Sequence, residues 1–146
     1  MSIYLLFLKL PKKINIPVGK LGQFSFPAGQ YIYVGRAKRN LKTRLERHQR
    51  KNKTLRWHID YLLQYTKLEK IVTYVGNDEC GLARHLSCQP EITIPVRKFG
   101  SSDCSCESHL FHLNGSHSSL DLLPGYTVFL IVKSVVVMEI SISLMT

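Results

Sequence analysis

Apolar residues recur in short runs along the first third of the chain. Residues 3–10 form a nearly continuous apolar run that ends before Pro11, which is typical of a buried central strand. Shorter runs follow at residues 14–16, 22–26 and 30–34, and the proline and glycine residues between them favour turns. The pattern therefore predicts a meander of short strands after one central strand.

The hydrophobic period then changes from that of strands to that of a helix. Asn40 is placed to cap a helix in which Leu41, Leu45 and His48 recur on one face. Arg44 lies one turn before His48 in this helix. A guanidinium and an imidazole at that spacing can hold a phosphate between them.

Two further helices and another strand are predicted downstream. A second helix spans about residues 54–65, and residues 71–75 form a strand. Asp78 is placed to cap a third helix that ends at about Cys88, and prolines bound an extended stretch at 90–95. Together these elements predict an α+β fold in which a small, mainly antiparallel sheet is flanked by helices.

The end of the chain differs from the rest in composition. We expect one domain over residues 1–113, followed by a hydrophobic tail over residues 114–146. Lys133 and Glu139 interrupt the apolar part of the tail, so no uninterrupted run reaches the length that spans a membrane, and we expect no membrane association. The tail could add a strand, pack on the domain or lie outside the fold, and the sequence leaves these interpretations open.

Cysteine usage and the start of the chain bear on the compartment. A chain of 146 residues with four cysteines can fold without disulfides, which favours a reducing environment. The apolar start lacks the charged segment and cleavage site of a signal peptide, so it is interpreted as a strand. We therefore expect a cytoplasmic location.

Basic residues are concentrated in one segment. The net charge is +10, and ten of the twenty Lys and Arg residues lie between Arg36 and Arg56, with Glu46 as the one acid among them. Because solvated faces normally mix both signs, this segment favours the phosphate backbone of nucleic acid as a partner. The expected contacts lie in or beside it, at Gly35, Arg36, Lys38, Arg39, Lys42, Arg47, Lys51 and His58.

A cluster of metal-ligand residue types lies after residue 100. Cys104, Cys106, His109 and His112 offer two thiols and two imidazoles, a complete tetrahedral set for zinc. All four come from nine residues, whereas zinc sites usually draw ligands from two separated knuckles. A buried cysteine, a hydrogen-bonded histidine and a structural turn are therefore alternatives to a zinc site.

The order of several short motifs resembles a known superfamily. Ser2-Ile3-Tyr4 is followed by Tyr33-Val34-Gly35 and then by a helix of the form Asn-Leu-x-x-Arg-Leu-x-x-His over residues 40–48. This order resembles the GIY-YIG nucleases. Residues 57–62 and 100–104 extend the resemblance to small, stand-alone GIY-YIG-like domains of unassigned function, some of which are fused to base-excision glycosylases.

The resemblance implies metal-assisted hydrolysis of a phosphodiester, with DNA as the favoured substrate and repair as the setting. Tyr33 or Tyr4 would position or deprotonate the attacking water, and Arg44 would clamp the scissile phosphate. His48 would assist proton transfer. Glu79 would hold one Mg²⁺ or Mn²⁺, and association with a base-excision repair glycosylase is an expected partnership.

Three residues depart from the superfamily pattern. Ser2 replaces the first glycine, Arg36 follows Gly35 where a small residue is usual, and Gly81 stands where a second acid is expected. The last two favour the alternative that the domain binds nucleic acid without cleaving it. Glu79 also has a structural alternative, as a first-turn glutamate stabilised by the helix dipole.

Overall fold

The strand β1 (Ser2–Leu10) is the middle strand of the main sheet, as its apolar run predicts. It pairs antiparallel with β4 (Gly29–Ala37) on one side and with β5 (Lys67–Val75) on the other. The computed structural model describes residues 2–76, 78–114, 127–132 and 135–140. For the last two ranges it describes the backbone only.

The other strands extend this sheet in both directions. They are β6 (Ile92–Thr93), β7 (Leu110–Leu113), β8 (Thr127–Val132) and β9 (Val135–Ile140). The order across the sheet is β6, β7, β4, β1, β5, β9, β8, and only the β5–β9 pair among the described strands is parallel. This confirms the predicted α+β class with a mainly antiparallel sheet flanked by helices.

The two faces of β1 enter two separate cores. Tyr4, Leu6 and Leu8 lie in a core with residues of α1 (Leu41–Gln49) and α2 (His58–Leu63). Residues 3, 5 and 7 lie in a second core, with α3 (Glu79–Ser87). Burial on both faces explains why the sequence of β1 shows a continuous apolar run instead of an alternating pattern.

Two of the three strands of the predicted meander form a hairpin that stands apart from the main sheet, and the third, residues 30–34, is part of β4 in the main sheet. Strands β2 (Ile14–Val18) and β3 (Gly22–Phe26) pair with each other as a two-stranded sheet. Ile16, Val18 and Phe26 are buried in the same core as α1 and α2. The hairpin therefore covers the face of the main sheet to which Tyr4 belongs.

Two helix starts differ from the sequence-based expectation. The second helix begins at His58, not near residue 54, because one carboxylate oxygen of Asp60 accepts the backbone N–H groups of Arg56 and Trp57 at 2.8 and 2.9 Å. These bonds hold the chain before His58 in an extended conformation. Asn40 precedes α1 as predicted, but with a φ of 54° and without a capping hydrogen bond from its side chain in the described structure.

The third helix begins and ends close to its predicted limits. The Asp78 side chain accepts the Gly81 N–H at 2.9 Å, which is the predicted cap. The strands β4 and β5 are longer than predicted, since β4 continues past the motif glycine to Ala37 and β5 begins at Lys67. Their additional residues pair with β1, so long-range pairing extends them beyond their apolar runs.

Part of the tail forms the strands β8 and β9. The backbone of β9 lies parallel to β5, and β8 pairs antiparallel with β9. The boundary at residue 113 and the packing of the tail stay predictions, because residues 115–126, 133–134 and 141–146 lie outside the described residues. Within the described part of the chain, no helix has the length and apolar character needed to cross a membrane.

Candidate active site

Gly35 lies directly opposite Tyr4 in the β1–β4 pair. A Cβ atom on Gly35 would stand 2.3 Å from Cζ of the Tyr4 ring, a distance that no side chain can adopt. The glycine of the Tyr-Val-Gly motif is therefore needed for the close approach of the Tyr4 ring. The structure gives Gly35 this packing role, and its predicted contact with nucleic acid stays a prediction.

A buried hydrogen bond joins Tyr4 to α1. The Tyr4 hydroxyl lies 2.8 Å from Nε2 of His48, and each residue is 2% exposed. Burial raises the pKa of Tyr4 to about 12. Burial, together with the charge of Lys53, lowers the pKa of His48 to about 3. Near neutral pH the imidazole is therefore uncharged, and its Nε2 can accept a hydrogen bond from the Tyr4 hydroxyl.

Arg44 lies beside this pair. Its guanidinium stacks over the Trp57 ring, 4.5 Å from the ring centroid, and its Nη1 donates to the Arg36 carbonyl at 3.3 Å. The Arg44 charge and its hydrogen bond both act to lower the pKa of Tyr4, against the larger effect of burial. The structure therefore brings together Tyr4, Arg44 and His48.

Tyr33 joins the same cluster from β4. It lies on the same core face as Tyr4, and burial followed by the proximity of Tyr4 raises its pKa well above the usual range. A Cβ atom on Gly100, whose φ is +70°, would stand 2.8 Å from Cε1 of the Tyr33 ring. The Gly100 N–H donates to His58 Nδ1 at 2.9 Å. The motif at residues 100–104 thus packs against the Tyr33 ring, and the motif at residues 57–62 holds it there through His58.

Glu79 lies at the start of α3, with one carboxylate oxygen near a guanidinium and the other near an imidazole. Its Oε1 is 3.6 Å from Nε of Arg36, and its Oε2 is 3.8 Å from Nδ1 of His109. Burial raises the pKa of Glu79, and the Arg36 charge opposes that shift. The charge of Glu79 also raises the pKa of Tyr4 and Tyr33, which places the carboxylate within electrostatic range of the tyrosine pair.

The donor chemistry at Glu79 fits a hard divalent cation. Mg²⁺ and Mn²⁺ prefer carboxylate oxygens and are commonly held by one or two carboxylates plus water. Glu79 supplies one such group, and Asp103 lies near enough to raise its pKa further. Arg36, whose side chain is 33% exposed, would have to move away from Glu79 for the cation to bind there.

Some side chains of the basic segment are free to face solvent, and others make contacts within the fold. Lys38, Arg39 and Lys42 are exposed. Arg47 instead makes two hydrogen bonds to the fully buried Asp60, at 2.8 and 2.9 Å. Lys51 Nζ donates to the carbonyls of Leu63 and Thr66, and the His58 ring packs on Phe99. Lys38, Arg39 and Lys42 offer their cations to solvent, whereas Arg47, Lys51 and His58 make contacts within the fold, and Lys51 is exposed as well.

A match to a family model is found over most of the chain. Residues 3–127 match the family described as "Domain of unknown function DUF123". The chain belongs to this family. Its description states no activity, so any function for this DUF123 domain has to be argued from the site. No curated protein and no solved structure matches the chain.

Asp60 is a central residue of this DUF123 domain that the motifs did not single out. Burial opposes ionisation of Asp60, but hydrogen bonds from Arg47 and from the backbone of Trp57 and Arg56 lower its pKa below the usual range. Lys53 lies 3.9 Å away and caps the carbonyls of Arg47 and His48 at the end of α1. The sequence did contain a signal for Asp60, since it is an acid that follows closely after an otherwise basic segment.

The predicted zinc ligands are brought together only in part. Cys104, Cys106 and His109 converge, but the fourth group is Cys80 of α3, and the four ligand atoms lie within 4.8 Å of one another. His112 lies elsewhere, with Nε2 3.0 Å from the Ala28 carbonyl. His112 belongs to β7, whereas Cys104 and Cys106 belong to the preceding loop, so pairing of β7 with β4 directs it away from the cysteines.

Proposed function

We propose that this domain is a metal-dependent endonuclease that hydrolyses phosphodiester bonds of nucleic acid, with DNA as the preferred substrate and repair as the setting. The observation that carries the proposal is the 2.8 Å hydrogen bond between Tyr4 and His48 with Arg44 beside it. This arrangement supplies a proton acceptor and a cation for the phosphate. The resemblance to GIY-YIG nucleases supports the same assignment.

Proton transfer would run from water through Tyr4 to His48. The Tyr4 hydroxyl oxygen takes a proton from the attacking water while His48 Nε2 takes the phenol proton, so that Tyr4 stays neutral throughout. A free tyrosinate would be costly at a pKa of about 12, and a buried imidazolium at His48 would be costly at a pKa of about 3, so the negative charge of the bound phosphate would have to stabilise the imidazolium during the transfer. The water oxygen bonds to phosphorus, the bond to the leaving sugar oxygen breaks, and solvent protonates that oxygen.

Charge stabilisation would come from Arg44 and from the cation at Glu79. Arg44 is fixed by Trp57 and by the Arg36 carbonyl, so its guanidinium is oriented before the substrate arrives. Glu79 would hold Mg²⁺ or Mn²⁺, and the bound ion supplies Lewis-acid stabilisation of the phosphate. Lys38, Arg39 and Lys42, exposed beside the site, would contact the flanking phosphates.

The test is a cleavage assay with purified protein. Supercoiled plasmid, branched DNA, single-stranded DNA and RNA are incubated with Mg²⁺, Mn²⁺ or EDTA. We expect cleavage with metal, no cleavage with EDTA, and loss of cleavage in Glu79→Gln. Glu69→Gln is the matched control, because Glu69 is an exposed carboxylate of β5, and it should cleave like the wild type. Equal activity of both variants would contradict the role of Glu79.

A second candidate function is nucleic-acid binding without cleavage. The observation that favours it is the Arg36–Glu79 ion pair, 3.6 Å long, which occupies the carboxylate that the metal would need. Salt-sensitive binding of all substrates with no cleavage under any metal would establish this candidate. Arg36→Ala separates the two, since it should raise cleavage at low metal concentration if Arg36 competes with the cation.

The cellular setting is also a proposal. The four cysteines are free thiols, which fits the reducing cytoplasm. The resemblance implies a partnership with a base-excision repair glycosylase, whose product sites would be substrates for an incising enzyme. Cleavage of DNA containing abasic sites, compared with intact DNA of the same sequence, tests that setting. Equal rates on both DNAs would argue against it.

A further inference from the structure

The cluster of three thiols and one imidazole beside the candidate active site is a complete set of soft metal ligands. We propose that Cys80, Cys104, Cys106 and His109 bind one zinc ion in tetrahedral Cys₃His geometry. The proposal does not rest on the nuclease activity. The four ligands combine one residue of α3 with three residues of a loop that is distant in sequence.

The ligand atoms are already near the spacing that zinc imposes. Their mutual distances are all within 4.8 Å. Zn–S bonds of about 2.3 Å in a tetrahedron place two sulfur atoms about 3.8 Å apart. A contraction of about 1 Å or less in each pair would therefore complete the site. Cys104 Sγ is 3.7 Å from Nε2 of His109, which matches a shared metal between them.

A carboxylate lies near the second ring nitrogen of His109, beyond hydrogen-bond distance. Its Nδ1 lies 3.8 Å from Oε2 of Glu79, while its Nε2 is directed at Cys104. Metal-ligating histidines typically give their other ring N–H to a carboxylate, which fixes the ring and its tautomer. Glu79 thus borders the proposed zinc site as well as the tyrosine cluster.

The loop that carries three of the ligands is held in place without a metal. Lys98 Nζ donates to the carbonyls of Cys104 and Cys106 at 3.1 and 3.2 Å. The His109 N–H donates to the Phe99 carbonyl at 2.9 Å, and its own carbonyl accepts the Val34 N–H at 2.9 Å. Because these bonds fix the backbone, the three ligands are preorganised and Cys80 approaches them from the first turn of α3.

Zinc at this position would join α3 to the loop between β6 and β7. Cys80 follows Glu79 directly, so a metal bond at Cys80 fixes the start of the helix that carries the candidate catalytic carboxylate. Three thiolates and an imidazole in a tetrahedron select zinc over the hard cations that Glu79 would hold. The two metal sites therefore differ in ligand chemistry and respond to different chelators and ions.

The test measures the metal content of the purified full chain. The protein is prepared in a reductant that does not bind metal, with zinc in the growth medium, and its zinc is measured by mass spectrometry. Cys80→Ser is compared with Cys88→Ser, which changes an exposed cysteine just beyond the same helix. His112→Gln tests the ligand that the sequence alone suggested. Co²⁺ replacement of zinc in the wild type gives an independent spectroscopic reading of thiolate coordination.

We expect about one zinc per chain in the wild type, Cys88→Ser and His112→Gln, and loss of zinc in Cys80→Ser. The Co²⁺ form should show thiolate-to-cobalt absorption and the intense visible bands of a tetrahedral site. If Cys80→Ser fails to fold, the wild-type stoichiometry and the Co²⁺ spectrum still decide. A wild type without zinc, or zinc retained in Cys80→Ser, would overturn the proposal.

Discussion

The Tyr4 hydroxyl lies 2.8 Å from Nε2 of His48, and the two residues are 44 positions apart in the chain. The bond joins the central strand to α1, and both side chains are buried. His48 Nδ1 has no hydrogen-bond partner among the described residues, so the Tyr4 hydroxyl is the polar contact that orients this ring. Fold and proposed chemistry therefore depend on the same pair.

Replacing Tyr4 by Phe should reduce both cleavage and stability. The change removes one hydroxyl, leaves a buried histidine nitrogen unpaired, and should lower the free energy of unfolding by about 1–3 kcal/mol. Loss of a proton-transfer group should slow cleavage by about 10²–10⁴-fold. Urea unfolding and single-turnover cleavage measure the two effects. Tyr65→Phe, at an exposed tyrosine, is the control and should change neither quantity.

Stability should fall on acidification because of His48. Its pKa is about 3 in the folded chain, below the 6.5 of an exposed histidine, so the unfolded chain binds more protons between these values. The contribution of the neutral histidine is therefore complete above pH 6.5 and is lost as the pH falls toward 3. Urea unfolding at steps across this range measures the slope.

The histidine variant separates this effect from acid unfolding in general. His48→Gln can still accept the Tyr4 hydroxyl but does not titrate, so its stability should change less between pH 6.5 and 4.5 than that of the wild type. Asp60 adds loss of stability at lower pH, because its folded pKa is depressed. Parallel pH profiles of the two proteins between pH 6.5 and 4.5 would contradict the role given to His48.

Two cations of the basic segment should respond differently to removal. Lys42→Ala should weaken DNA binding and reduce the slope of log affinity against log salt by about one, because Lys42 is exposed. Arg47→Ala should instead lower the free energy of unfolding by about 3–5 kcal/mol, since it leaves the buried Asp60 carboxylate without its bidentate partner. Titration of labelled DNA measures the first effect and urea unfolding measures the second. A loss of stability in Lys42→Ala, or unchanged stability in Arg47→Ala, would contradict these roles.

Gly35→Ala should be costly because of its position opposite Tyr4. A methyl group there would meet the Tyr4 ring at 2.3 Å, so strand or ring must shift, and we expect about 1–3 kcal/mol of destabilisation with loss of cleavage. Gly76→Ala is the comparison, because a Cβ there meets no atom within 4 Å and the change reports backbone strain alone. No destabilisation by Gly35→Ala would show that contact with Tyr4 is unimportant.

Local patterns predicted the elements well, and long-range contacts account for what they missed. The apolar run of β1 and the Asp78 cap depend on neighbouring residues, so both were predictable. The start of α2 depends on Asp60, whose carboxylate accepts the backbone N–H groups three and four residues earlier. The spacing of apolar residues carries no information about these hydrogen bonds, so it predicted an earlier start.

The candidate site shows the same division. Arg44 and His48 share a helix face, so their proximity follows from spacing alone, whereas their meeting with Tyr4 required the resemblance. Cys80 joins Cys104, Cys106 and His109 only because α3 packs against the loop before β7. No spacing rule connects residues 80 and 104, which is why the sequence suggested His112 in place of Cys80.

The most direct test of the nuclease account is single-turnover cleavage of DNA by wild type, Arg44→Ala and Arg84→Ala with saturating Mg²⁺. Arg84 is an exposed arginine of α3, so its removal changes the net charge equally without touching the Tyr4 cluster. The account predicts cleavage by wild type and Arg84→Ala and a loss of about 10²-fold or more in Arg44→Ala, with all three proteins folded. Equal cleavage by the two variants, or none by the wild type, would contradict it.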